Sequence, residues 1–370
     1  QHDYAGYELI NPIIQSFGHD QYNYYETNGI MENQMTVKFE NVNYFNGKLK
    51  GTDPGAGVDG FGSETYYDRT TSPITRPGST RSVLGQGGLL DVALHPQYEK
   101  NGWVYLSYSK FKMEDGAKVN TTAIVRGKIK DNKWVEAQEI FEAKPYTKTT
   151  YHYGSRITFD KKGYLFFSVG ERGMEKVFPQ NLDNDNGKIH RLNDDGTVPA
   201  DNPFKNSDHP SIYSYGQRNP QGLTTNPWTG DIWETEHGPR GGDEINIIQA
   251  GKNYGWPVIT YGINYDGKPI SAISKKEGME QPISYFIPSI APSGLTFVTG
   301  DKYPAWKGNL MIGSLRFNYL NRVEVKNNKV VKQEKVLLNV GRMRNVEQGR
   351  DGYLYIGVES PGMVFRLRPQ

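Results

Sequence analysis

Lys162-Gly163-Tyr164-Leu165-Phe166-Phe167 runs a polar turn containing glycine straight into apolar and aromatic residues. The arrangement returns at Asn101-Gly102-Trp103-Val104-Tyr105-Leu106, Thr229-Gly230-Asp231-Ile232-Trp233, Lys307-Gly308-Asn309-Leu310-Met311-Ile312 and Asp351-Gly352-Tyr353-Leu354-Tyr355-Ile356. Period-two alternation bounded by turn residues marks strands. The intervals, roughly 45 to 80 residues, suit the blades of a β-propeller with long insertions better than a tight solenoid. Inner-strand ends and their neighbouring loops then converge on the axis, where a ligand can sit. Helix signal is slight. Asp183-Asn184-Asp185-Asn186-Gly187 and Asn193-Asp194-Asp195-Gly196 read as loops.

Composition agrees with an all-β chain: 42 Gly, 21 Pro and 25 Tyr in 370 residues favour many short strands joined by turns. Beyond the first 80 residues no linker divides the chain, so a single domain over residues 1–370 is expected, with residues 1–80 as a divergent N-terminal part. That part is rich in Tyr, Asn and Gly, and Gly51 to Gly62 reads as a long loop. A formal net charge of +2 gives no bulk pull toward nucleic acid or an acidic membrane surface. There is no basic run of the nucleic-acid type and no apolar stretch of membrane-span length. The absence of cysteine excludes disulfides, thiolate metal sites and cysteine nucleophiles. With a first residue Gln1 rather than Met, this fits a mature bacterial chain, periplasmic or secreted.

Chemistry is densest in three neighbouring runs. These are Gly216-Gln217-Arg218-Asn219-Pro220-Gln221-Gly222-Leu223, Glu236-His237-Gly238-Pro239-Arg240-Gly241-Gly242-Asp243-Glu244 and Asn253-Tyr254-Gly255-Trp256-Pro257. Arginine offers a planar fork to carboxylates. The carbonyls of a Gly-Pro turn and a nearby Glu are hard oxygen donors of the kind calcium takes. The runs point to an anionic cofactor held partly through a metal. His237 is set aside as a transition-metal ligand, because no second His stands at ligand spacing. Further along, Arg342 and Arg344 are two apart, which on a strand puts both guanidinium groups on one face. Such a pair repels unless an anion lies between.

The chain resembles the soluble quinoprotein sugar dehydrogenases, the family of soluble glucose dehydrogenase and aldose sugar dehydrogenase. The three runs carry the resemblance together with Gly85-Gln86-Gly87-Gly88-Leu89-Leu90, Ala93-Leu94-His95-Pro96 and His152-Tyr153-Gly154-Ser155-Arg156. Asn186-Gly187-Lys188-Ile189 through Asp201-Asn202-Pro203-Phe204, Pro288 to Gly294, Gly313-Ser314-Leu315-Arg316 and Arg342-Met343-Arg344 complete it. The set comes in the family's order, from about Ser82 to the C-terminus.

The resemblance implies a six-bladed β-propeller of four-stranded antiparallel blades that binds pyrroloquinoline quinone (PQQ) and calcium. It also implies an aldose substrate, oxidised at its C1 hydroxyl to a lactone, and an external electron acceptor, in a monomer or homodimer. His152 takes the place of the catalytic base, and imidazole titrates near neutrality. Glu171 looks like the acid that supports it, and Gln86 like a group bonding both sugar and quinone. Arg218, Asn219, Arg316, Arg342, Arg344 and Tyr265 match cofactor-binding positions, and Ser289 a hydroxyl near the cofactor. Arg316 stands where the glucose dehydrogenase branch has Lys. Gly238 and Pro239 resemble the carbonyl pair that holds the cofactor's calcium, and Glu244 with the Tyr254 carbonyl a second, structural calcium. Three departures stand out: residues 1–80 lack the usual first-blade signals, Ser155 replaces a Gly, and Tyr151 replaces an Asp close to the sugar. A calcium-dependent sugar lactonase and a non-catalytic binding propeller are the alternatives.

Overall fold

The computed structural model describes strands Asp3–Ile10, Ile13–His19, Asn33–Lys38 and Asn41–Lys48, and residues 85–359 and 362–369. The expected loop from Gly51 to Gly62 lies outside the described residues. The chain divides into two compact units, Gln1–Pro77 and Gly78–Gln370. In the first, Asp3–Ile10 pairs with Asn41–Lys48 and Ile13–His19 with Asn33–Lys38, both antiparallel.

The second unit is a series of antiparallel meanders, each strand hydrogen-bonded to its neighbour in sequence. Blade one comprises Leu89–Leu94, Trp103–Glu114, Ala117–Lys130 and Lys133–Glu142. Blade two comprises Ile157–Phe159, Leu165–Val169, Lys188–Leu192 and Ile212–Tyr215. Blade three comprises Pro220–Thr225, Ile232–Glu236, Asp243–Ile248 and Ser284–Phe286. Blade four comprises Pro292–Phe297, Leu310–Ser314, Leu320–Lys326 and Lys329–Val336. Blade five has three strands, Arg342–Gln348, Leu354–Glu359 and Met363–Leu367.

The all-β propeller architecture is therefore as expected, but the described residues form five blades, not six. The five glycine-turn motifs in the sequence correspond one-to-one to these blades. Gly102, Gly163, Gly230, Gly308 and Gly352 each stand just before a second strand, all with φ between 69° and 88°. That left-handed conformation is open to glycine at no steric cost. The sixth blade was implied by the family alone. The described strands within 1–80 pair as two-stranded sheets, so among the described residues the expected sixth four-stranded blade is absent.

Second strands are buried along their whole length in blades two, three and four. Each is covered on both faces by a neighbouring blade, so adjacent residues serve different cores. Phe167 packs with Tyr105 and Ile124 of blade one, whereas Phe166 packs with Leu223 and Ile248 of blade three. Trp233 faces Leu295 and Phe297 of blade four, and Met311 faces Met343 and Leu354 of blade five. Burying each such side chain contributes about 1.5–3 kcal/mol.

The glycine turns join first to second strands. The start of every first strand and the end of every second strand thus lie at the opposite end of the blades, and the candidate residues collect there.

Candidate active site

His152 stands on the approach to blade two's first strand, and Glu171 just beyond the end of its second. Their side chains meet through Nδ1 of His152 and Oε1 of Glu171. The histidine side chain is 14% exposed and the carboxylate 1%. With Nδ1–H committed to Glu171, Nε2 is the nitrogen left to accept a proton. Burial holds the imidazole below its ordinary value, the Glu171 bond works against that, and the Arg218 charge adds to the lowering. The ring is therefore neutral near pH 7, the state a base requires.

The loop around the base is fixed by Gln86, Asn219 and one side chain the sequence reading did not single out, Arg172. Arg172 is fully buried, stacks on Tyr153 at 3.5 Å, and donates to the carbonyls of Thr149 and Tyr151 and to Asn120. The Gln86 side chain accepts the His152 N–H at 2.9 Å, so Gln86 orients the base besides lining the cavity. Asn219 accepts the Gly154 N–H at 3.1 Å. A Cβ on Gly170 would fall 2.1 Å from the His152 carbonyl, so only glycine permits this approach. His152 itself has φ 58°, and Ser155, the departure from Gly, has φ 83°. Backbone so placed persists only where its surroundings over-determine it.

Beside this loop opens a cavity of about 500 Å³, lined by Gln86, Gly154, Arg156, Asn219, Arg342 and Arg344 among others. Arg342 and Arg344 do share it, but by an unforeseen route. The register shifts between Met343 and Asn345, leaving Arg344 as the extra residue of a β-bulge. Met343 and Val346, three apart, consequently face the same core. The anion between the two arginines is Glu359, which accepts from Arg342 Nε at 3.0 Å and from Arg344 Nε at 2.5 Å. Sequence reasoning missed Glu359. Its signal was positional: it ends the second strand hydrogen-bonded to the arginine strand.

Arg218 lies over Trp256 at 5.2 Å, donates to the His237 carbonyl, and keeps Nε buried without a partner. His237 donates Nε2–H to the Pro292 carbonyl at 2.6 Å, and burial lowers its pKa to about 3. Its ring is therefore neutral, with Nε2 committed to the Pro292 carbonyl.

A second hollow of about 380 Å³ adjoins the first and is lined by His237, Gly238, Pro239, Arg240, Tyr265, Ser289, Ala291 and Arg316. Tyr265 is 73% exposed there. Arg316 donates to the Ser289 carbonyl at 3.4 Å and lies over Phe317. The Ser289 hydroxyl is spent on Asp243, a turn-holding role. Asp243, another residue missed in the sequence, accepts from Gly238 N–H, Ser289 Oγ, Ile290 N–H and Ala291 N–H. It thereby ties the Gly238-Pro239 turn to the approach of blade four.

For a metal, the donors fit a hard cation in kind. Gly238 and Pro239 line the second hollow, and backbone carbonyls are hard oxygen donors of the kind calcium takes. Around Glu244, both oxygens of Glu234 and Oδ1 of Asn246 are buried without a partner, and Asn246 Nδ2 donates to Glu244 at 3.2 Å. Burial and neighbouring carboxylates hold Glu234 and Glu244 well above the usual range. Buried acceptors lacking donors suit a cation that supplies charge without protons. The Tyr254 hydroxyl is committed to the Ile247 carbonyl, which leaves only its backbone for an ion. Among the described residues, no group of three or more His, Asp or Glu side chains converges on one metal position.

A neutral histidine backed by a buried carboxylate, beside a cavity ringed by guanidinium groups, defines a propeller site equipped for proton removal next to an anionic ligand. Comparison with known proteins gives the family. The family described as glucose/sorbosone dehydrogenase matches residues 68–366, and the chain belongs to that family. It is 43% identical over 294 residues to aldose sugar dehydrogenase YliI of Escherichia coli (strain K12), covering 77% of this chain and 78% of that protein. It is 33% identical over 230 residues to quinoprotein glucose dehydrogenase B of Acinetobacter calcoaceticus, covering 52% and 47%. The apo-form structure of the soluble aldose sugar dehydrogenase from Escherichia coli superposes with a TM-score of 0.74 at 42% identity, covering 77% of this chain and 84% of that one. The PQQ-bound aldose sugar dehydrogenase from Streptomyces coelicolor gives 0.63 at 26% identity, covering 78% and 82%.

Proposed function

We propose that this chain oxidises the C1 hydroxyl of aldose sugars to lactones with PQQ as cofactor and calcium as its metal. The observation that carries the reading is the His152–Glu171 pair beside the arginine-lined cavity. His152 Nε2 takes the hydroxyl proton as the C1 hydride leaves, and Glu171 stabilises the imidazolium that forms. PQQ, when bound, supplies the two-electron acceptor for that hydride. Arg342 and Arg344 hold its carboxylates, with Arg218, Asn219, Arg316 and Tyr265 around it. The Gly238 and Pro239 carbonyls hold a calcium ion, and Glu244 with the Tyr254 carbonyl holds a second. A PQQ-bound relative and a quinoprotein relative support the cofactor. An external acceptor would take up the electrons. We place the chain in the periplasm or outside the cell, as a monomer or homodimer. Among the described residues no helix is long and apolar enough to cross a membrane.

The test is reconstitution of the purified chain with PQQ and calcium, watching the quinone absorbance as an aldose is added. The expected result is bleaching or a shift that depends on sugar. A folded, PQQ-loaded protein whose spectrum no aldose changes would sink the reading, and lactone hydrolysis without PQQ would replace it.

A further inference from the structure

One guanidinium ties together the inner strands of four blades. Arg156 stands immediately before blade two's first strand, and its side chain is 8% exposed. Its Nε donates to the Gln221 carbonyl of blade three at 2.7 Å. Its Nη1 donates to Asn345 Oδ1 of blade five at 3.1 Å and to Asp91 Oδ1 of blade one at 3.3 Å. Its Nη2 donates to the Arg344 carbonyl at 2.7 Å. The other oxygen of Asp91 accepts the Ile157 N–H at 2.9 Å, which locks Asp91 to the strand that follows Arg156. Blade four contributes space: a Cβ on Gly294 would lie 2.2 Å from Asn345 Oδ1.

Two details make this more than a packing contact. Arg344 is the bulged residue, outside the regular register of its strand, and the carbonyl it presents there is the one Arg156 captures. The side chain of Gln221, whose carbonyl Arg156 also holds, accepts from Arg344 Nη1 at 3.0 Å and donates to Asn219 Oδ1 and the Gly154 carbonyl. Gly154 lies two residues from His152. A continuous set of bonds thus joins the Arg344 guanidinium, through Gln221 and Arg156, to the loop of the base.

We infer that Arg156 is a positioning residue, setting the distance between the Arg344 grip and the His152 loop. This rests on the quinone reading above. Four acceptors spread around one plane need a planar fork, which lysine cannot supply though it keeps the charge.

The experiment uses the whole chain, cofactor-free, as Arg156→Lys and Arg156→Met. PQQ is titrated by tryptophan fluorescence, hydrogen exchange is followed over residues 342–348, and kcat and sugar KM are measured at saturating PQQ. Both variants are expected to weaken PQQ binding by about 10- to 100-fold, the scale of lost hydrogen bonds to a charged group. Exchange over 342–348 rises, and kcat falls while sugar KM stays near the wild-type value. Wild-type affinity and kcat in Arg156→Lys would show that charge alone matters and overturn the inference. So would unchanged exchange in both variants. If Arg156→Met does not fold, Asn345→Ala carries the test, since it removes one acceptor and spares the Asp91 pair. A loss of affinity there supports positioning, and wild-type behaviour overturns it. A wild-type chain that binds no PQQ defeats the quinone reading instead, and exchange over 342–348 then decides the positioning role alone.

Discussion

Close backbone packing holds both the loop carrying His152 and the turn from Gly238 to Gly242, but the loop adds several side-chain partners whereas the turn adds one carboxylate. Around His152, Arg172, Gln86, Asn219 and Glu171 each fix a named backbone or ring atom. At the turn, a Cβ on Gly238 would fall 2.2 Å from the Gly241 carbonyl, and Asp243 gathers the N–H groups. The difference matches two kinds of work. A base needs one ring nitrogen aimed and kept neutral, which takes specific side-chain partners. A hard cation needs carbonyl oxygens at fixed spacing, which a tight backbone provides by itself. Substitutions on the base side should therefore change rate, and those on the turn side should change loading and stability.

The largest expected effect is His152→Ala, which lowers the rate of PQQ reduction by sugar about 10²- to 10⁴-fold while PQQ still binds. Stopped-flow absorbance beside a binding titration checks it, and a normal rate would remove His152 from the base role. Next is Glu171→Gln, with a loss of about 10- to 100-fold, the usual weight of a group that orients a catalytic imidazole. Its pH profile carries a sign. Burial already holds His152 low and Glu171 pushes it up, so removing that push lowers the pKa further. The acidic limb of kcat/KM must then move to lower pH, and movement to higher pH would break the assignment. On the turn side, Asp243→Asn sets an amide donor among four donors. It should cost about 1–3 kcal/mol in urea unfolding and weaken calcium loading, with little change in kcat of the loaded enzyme. An unaltered melt would dissolve the contrast. The smallest effect is Arg342→Met, whose pair with Glu359 is half exposed. Unfolding free energy should change by less than about 1 kcal/mol, while PQQ affinity falls.

The blades were legible because each one opens its second strand with the same local event, a left-handed glycine before a buried apolar run. The number six was not in that pattern, and it came from resemblance. In the site, the structure brings His152 to Glu171 and Gln86, and Arg342 and Arg344 to one cavity. Glu359, Asp243, Arg172 and Arg156 did not announce themselves, since their partners lie up to 189 residues away and are chosen by tertiary packing. The bulge at Arg344 was invisible for a related reason. Residue spacing describes a regular strand, and an extra residue leaves no compositional mark.

Glu359 has a consequence for how the molecule is assembled. The chain brings its own counter-anion to the arginine pair, so the cavity does not need a ligand to tolerate two adjacent cations during folding. On the proposed reading, a triacid would exchange with a tethered carboxylate instead of meeting bare charge. Its affinity would then be a difference between two ion pairs.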